Sequence, residues 1–200
     1  MFFKKKKDKD KIKIFCAVDK PSSYSVIFLS AYREIDIEID WVDSSDGSEF
    51  SALVSSYDNL PSLTDNKFSI CRAFPVLTYL NIIGNKRKIE PRKARILAKQ
   101  NYYKSLIEKI LWEHTNKKDK EDLLFLLDQR LEKYKFIADS EFTFADIYMF
   151  GFCMISRNEM NKFKNINLWI KQMFDLVKIE NESPNKISQF SKYLHNRKIA

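Results

Sequence analysis

The sequence predicts a small α/β unit followed by an all-α bundle, and three observations carry that reading. Residues 11–41 run strand, helix, strand. From Arg92 onward apolar residues recur at spacings of three and four, the mark of helices with one buried face. Among 200 residues there are only three Gly and five Pro, too few for a turn-rich β-sandwich. With 44% hydrophobic residues, sixteen Phe and nine Tyr, the chain has ample material for a core.

Taken in order, residues 1–10 read as a charged, basic, disordered tail. Lys11 to Val18 alternates and then becomes continuously apolar, as a strand entering a sheet interior does. Asp19-Lys20-Pro21 breaks it, and either Ser22 or Ser23 is a candidate cap for the helix carrying Tyr24, Ile27, Phe28 and Ala31. Ile35, Ile37, Ile39 and Trp41 then alternate with Asp36, Glu38 and Asp40, giving an edge strand with one dry and one acidic face. A right-handed crossover should pair these two strands in parallel. Residues 43–59 read as a Ser- and Asp-rich surface loop with a short helix near Phe50 to Val54. Leu60 to Ser69 reads as two short strands around an Asp65-Asn66 turn. A helix from Ile70 to Leu80 closes this half, and Pro75 inside it should bend it by freeing the carbonyl of Cys71. The expected boundaries are 11–83 for the α/β half, 84–91 for a linker, and 92–195 for the helical half. A basic stretch at 196–200 would lead into a further domain.

The helical half opens with a long helix from Arg92 to about His114, followed by an amphipathic helix from Leu123 to Tyr134. Its centre is Phe142-Thr143-Phe144-Ala145-Asp146-Ile147. Thr143 and Asp146 stand three apart, so each side chain can satisfy the other's free backbone N–H at a helix start, a capping box. The run Ile147 to Ile155 is apolar on every face, which calls for a helix surrounded by protein. Nine residues are too few for a bilayer, which needs about twenty.

Composition excludes several classes. Cys16, Cys71 and Cys153 are odd in number and far apart, with two His in the chain; a disulfide framework, a zinc site and any other metal or cofactor are not expected. Met1-Phe2-Phe3 followed by lysines lacks the apolar core of a signal peptide, so a cytoplasmic location is expected, with peripheral membrane contact open for a longer protein.

The order Leu123–Tyr134, Phe142-Thr143-Phe144-Ala145-Asp146-Ile147 and Asn165-Ile166-Asn167-Leu168-Trp169 resembles the helical half of glutathione-transferase-like proteins. That resemblance implies a thioredoxin-like first subdomain, in which Pro61 would follow a cis bond before the third strand. Family enzymes place a Tyr, Ser or Cys after the first strand to serve the glutathione thiolate. Here Ser22, Ser23, Tyr24 and Cys16 are the candidates, and Cys16 lies in an apolar strand where a thiolate is disfavoured. The family's acidic residue and Ser at the head of the helix after the fourth strand are matched by Ile70 and Cys71, so the acid and hydroxyl are missing. From this the sequence predicts no catalytic residues and no enzyme; a glutathione transferase using Ser or Tyr is the alternative.

Within the family the chain resembles domains of the multisynthetase-complex scaffold and tRNA-import type. The resemblance implies a non-catalytic protein–protein interaction domain of the translation apparatus, which scaffolds aminoacyl-tRNA synthetases and assists tRNA binding. One protein interface, expected to make a homodimer, would use Arg72, Phe74, Tyr79, Arg95 and Tyr103. A second, for a synthetase, would use Arg157, Asn158, Asn165, Asn167, Trp169 and Lys171, with Trp169 alternatively in the core. Net charge is +8, and twelve Lys or Arg against four acidic residues lie between Lys86 and Lys120. Lys86, Arg87, Lys88, Arg92 and Lys93 are thus candidate tRNA contacts, against the plainer reading of a solvated basic face.

Overall fold

A computed structural model describes residues 12–42, 57–113 and 116–177. The expected terminal tails, residues 43–56 of the expected 43–59 loop and its short helix lie outside these residues; the loop's last residues, Tyr57–Asn59, form a 3-10 turn.

Strand β1 (Ile12–Cys16) sends Ile14 and Cys16 into the core. It is followed by α1 (Pro21–Tyr32) and β2 (Ile37–Trp41). Strands β3 (Ser62–Asp65) and β4 (Phe68–Cys71) form a hairpin turning at Asn66, which adopts φ 55°. The sheet order is β2-β1-β3-β4, with β1 parallel to β2 and antiparallel to β3. β2 therefore lies at an edge, as its acidic alternation indicates. The Leu60-Pro61 bond is cis.

Ser22 and Ser23 do not cap α1. Its N-cap is Lys20, without a side-chain cap, and Pro21 takes the first helical position, where its missing N–H costs nothing. The Ser23 hydroxyl instead accepts the Ala17 N–H at 2.9 Å.

The next helix, α2, spans Ala73–Ile83, so it begins three residues later than the apolar pattern suggests because Ile70 and Cys71 complete β4. Pro75 then falls in the first turn, whose N–H groups have no intrahelical partner. No ladder bond is lost, and the expected bend through Cys71 has no cause.

The linker is tied down at both ends. Asn81 donates to the Ile89 carbonyl and accepts the Ile89 N–H, each at 2.9 Å, and buried Arg33 donates to the Gly84 carbonyl. The expected single long helix divides into α3 (Ala94–Leu106) and a π-helical segment, Ile107–Trp112.

Helices α4 (Lys117–Lys133), α5 (Phe144–Ile155), α6 (Arg157–Met160) and α7 (Lys164–Val177) complete the described chain. All of α5 from Phe144 to Met154 is buried, so it is the central helix that its apolar run requires. It crosses α1 at Gly151, where a Cβ would run into the Ser25 hydroxyl and the Pro21 carbonyl oxygen. The Ser25 hydroxyl donates to the Ile147 carbonyl at 3.0 Å, and Phe28 packs on Phe150 with ring centroids 4.5 Å apart. The two halves thus share one core. No described helix is long and apolar enough to cross a membrane.

Candidate functional site

The chain heads converge at one end of the sheet. Ala17, at the end of β1, packs on Leu60, and Lys20 pairs with Asp58 at 3.7 Å. The Arg72 N–H donates to the Asn59 carbonyl at 2.9 Å, which draws the start of α2 to the same place. Arg72 sits at φ 72°, outside the ordinary range for a residue with a Cβ.

Three of the four sequence candidates for a thiol-serving group are already engaged. Cys16 is wholly buried, and burial pushes its thiol up to about 12, so it stays protonated near neutrality. Ser23 holds the Ala17 N–H, and the Tyr24 hydroxyl donates to the Val18 carbonyl at 3.0 Å. Ser22 differs. It lies in the first turn of α1, buried at 7% exposure, and among the described residues no hydrogen bond engages its hydroxyl. Helix N–H groups gather positive potential at that end, and the turn contains no acidic side chain to offset it.

At the head of α2, Ile70 and Cys71 end β4, and Arg72 and Ala73 begin the helix as its N-cap and first residue. None of these four side chains is an acid or carries a hydroxyl.

Opposite these heads lies an aromatic cluster that the sequence reading missed. Trp112 stacks on Tyr148 with centroids 4.3 Å apart and planes at 1°, and its indole N–H donates to the Tyr148 carbonyl at 3.2 Å. The Lys104 ammonium lies 4.3 Å from the Phe74 centroid and 5.2 Å from that of Tyr148. Helical spacing gave no sign of this cluster, since the π-helical segment shifts which residues share a face.

The Thr143–Asp146 capping box is present. The Asp146 carboxylate accepts from the Thr143 N–H, the Thr143 hydroxyl and the Ile137 N–H, each at 2.9 Å. Complete burial pushes its pKa up to about 6, against these hydrogen bonds, which favour the charged form.

Of the expected interface residues, Arg72, Phe74 and Arg95 are exposed, whereas Tyr103 turns inward under Arg130, 4.6 Å from its ring. Its neighbour Tyr102 is the exposed ring, and Tyr79 is bound to Asp65 at 2.6 Å. On the other face Trp169 is core at 3% exposure, so it is no surface anchor. Asn165 donates to Asp128, and Asn167 to the Met160 and Phe163 carbonyls, leaving Asn158, Lys171 and the unforeseen Leu168 as exposed groups. Among the candidate tRNA contacts, Lys86 pairs with Glu34, Lys88 with Glu90, and Arg87 holds the Leu176 carbonyl. Arg92 and Lys93 are exposed.

Residues 113–176 match the family model described as glutathione S-transferase, C-terminal domain. Among curated proteins none matches the sequence. A delta-class glutathione transferase from Nilaparvata lugens superposes with a TM-score of 0.69 at 20% identity, covering 92% of this chain and 99% of that one. Glutathione S-transferase 1-6 from Anopheles dirus species B gives 0.66 at 19%, covering 92% and 100%. Unclassified glutathione S-transferase 2 from Bombyx mori gives 0.64 at 22%, covering 83% and 89%. The expectation of a chain without enzyme activity is corrected by these likenesses, since the similar structures are named as transferases. The fold is glutathione-transferase-like, a thioredoxin-type N-terminal half joined to a C-terminal helical domain.

Proposed function

We propose that this chain is a thiol transferase of the glutathione type, with Ser22 as the group that serves the thiolate. The observation that carries the reading is the Ser22 hydroxyl in the first turn of α1, at the positive helix end, where no acidic side chain stands and no hydrogen bond engages it among the described residues. A hydroxyl donating to a thiolate, with helix N–H groups behind it, lowers the thiol pKa and keeps the nucleophile ionised near neutrality. Arg72 and Ala73 set the limit of the design, since a cation gives the ammonium end of glutathione no counter-charge, and affinity for that thiol should be low.

Conjugation of glutathione to an aryl halide tests the reading. Wild type should turn over, and Ser22→Ala should lose roughly 10- to 100-fold in kcat/KM, the worth of one hydrogen bond to a charged group. Ser23→Ala should keep activity in whatever fraction remains folded. Absence of turnover in wild type, or equal turnover in Ser22→Ala, refutes it. In the companion substitution pair Arg72→Glu with Ala73→Ser, the missing acid and hydroxyl are restored, and KM for glutathione should fall about tenfold.

Docking to other proteins is a second reading, favoured by large apolar groups left exposed. Phe68, Phe74, Leu97 and Tyr102 are each between 43% and 59% exposed, on or beside α2 and α3, and aromatic anchors of this kind carry much of the energy of protein interfaces. Self-association through that face is the proposal. The face of Asn158, Leu168 and Lys171 is left for a second partner, for which the resemblance suggests an aminoacyl-tRNA synthetase with a similar domain. Copurification that is unchanged by Leu168→Asp would dismiss that second partner.

A further inference from the structure

One face of the sheet belongs to the core, through Ile14, Leu63 and Ile70. Phe15, Ser62 and Cys71 alternate with these and stand on the other face. The ladder sets the three in one row, with Ser62 opposite Phe15 on one side and opposite Cys71 on the other. Directly opposed residues hold their Cβ atoms about 5 Å apart, so the Ser62 hydroxyl and the Cys71 thiol are neighbours. Ser62 is 3% exposed, and its buried hydroxyl has no hydrogen-bond partner among the described residues. Buried hydroxyls are almost always paired, so an unpaired one beside a thiol points to a group that arrives at that thiol. Cys71 is free and half-buried, whereas Cys16 and Cys153 are wholly buried, so it is the thiol that a small molecule can reach. It ends β4 directly before α2. The exposed Arg72 follows as the N-cap, and the first turn of α2 holds no acidic side chain, so positive potential gathers beside the sulfur.

We propose that Cys71 is a thiolation site, which takes up half of a small disulfide bearing carboxylates, such as oxidised glutathione, as a mixed disulfide. The Cys71 thiolate attacks one sulfur of the disulfide. A new S–S bond forms as the old one breaks, and the departing sulfur leaves with the bonding pair and takes up the proton that Cys71 lost. The small disulfide supplies the oxidising equivalents, so no other oxidant enters. The Ser62 hydroxyl turns to the sulfur and donates to its negative charge during the exchange, while Arg72 and the N–H groups of α2 attract the carboxylates. An uncharged disulfide gains only the first of these. The site makes no use of Ser22 or of the transferase reading.

The test is incubation of the intact, reduced protein with oxidised glutathione, followed by intact-protein and peptide mass spectrometry. One glutathionyl group is expected, on Cys71 and removable by dithiothreitol, with Cys16 and Cys153 unmodified. Cys71→Ser should take up none, and Ser22→Ala should react like wild type. Ser62→Ala should slow the exchange about tenfold, with the melting temperature unchanged or higher, because a buried hydroxyl without a partner does nothing for the fold. Arg72→Gln should slow reaction with oxidised glutathione several-fold and leave reaction with hydroxyethyl disulfide as it was. No glutathionyl group on wild type, or one carried by Cys16 or Cys153 in place of Cys71, overturns the proposal. So does a wild-type exchange rate in Ser62→Ala. Thiolation of Cys71 without conjugation of an aryl halide would defeat the transferase reading alone; conjugation without thiolation would defeat this site alone.

Discussion

Asp146 holds more of the helical half than a helix cap alone would. The spacing Thr143 to Asp146 made the cap legible, but its bond to the Ile137 N–H was not, because that donor arrives from a turn nine residues back whose path no local pattern specifies. Asp146→Ala leaves two buried N–H groups without an acceptor and should cost about 3 kcal/mol near pH 5, by thermal or denaturant unfolding. The pH dependence has a definite sign. Asp146 binds its proton more tightly in the folded chain, with a pKa of about 6 against the ordinary 3.8. Its contribution is therefore full below about pH 4 and declines as pH rises through about 6. The wild-type advantage over Asp146→Ala should shrink across that range, by something on the order of 3 kcal/mol for a two-unit shift. An advantage that grows with pH would mean that the three hydrogen bonds outweigh burial. Ser22 shows the opposite case. The sequence named it with Ser23 and Tyr24, and only tertiary contacts separate a free hydroxyl from two engaged ones.

At the scale of elements, strands and helices were legible where one face is dry, and boundaries were not where an apolar run serves two elements. Ile70 and Cys71 fit a helix face as well as a strand, and pairing with Leu63 and Ser62 decides for the strand. That shift of the helix head puts Arg72 and Ala73 at the start of α2. The π-helical segment was beyond reach, since Ile107, Ile110 and Leu111 satisfy an ordinary helical spacing. The crossing of α1 and α5 carries its own prediction. Gly151→Ala puts a methyl group against the Pro21 carbonyl, which belongs to the first turn of α1 and cannot move without Ser22. A loss of about 2 to 3 kcal/mol is expected, as for other overpacked cores, with a fall in conjugation larger than unfolding explains. Full activity and an unchanged melting temperature would show that the helices separate freely there.

For the whole molecule, the two-part fold was readable because each half repeats its own period, alternation in the first and threes and fours in the second. Which side chains face outward was not. Tyr103 read as a surface anchor and lies against Arg130; Trp169, for which surface and core were both open, lies in the core, while Tyr102 and Leu168 stand exposed. A homodimer through α2 and α3 should be broken by Tyr102→Asp, seen as a halving of mass in light scattering with unchanged helicity. A monomeric wild type would dismiss that interface and leave the site near Ser22 untouched.

That site is the central claim, and the ionisation of bound thiol tests it most directly. Glutathione would be titrated with pH by thiolate absorbance in the presence of saturating wild type or Ser22→Ala. The account predicts a thiol pKa lowered by about one unit or more on wild type, the equivalent of about 1.4 kcal/mol, and largely restored to its free value on Ser22→Ala. Equal values on the two proteins, or a bound thiol no more acidic than the free one, would contradict it.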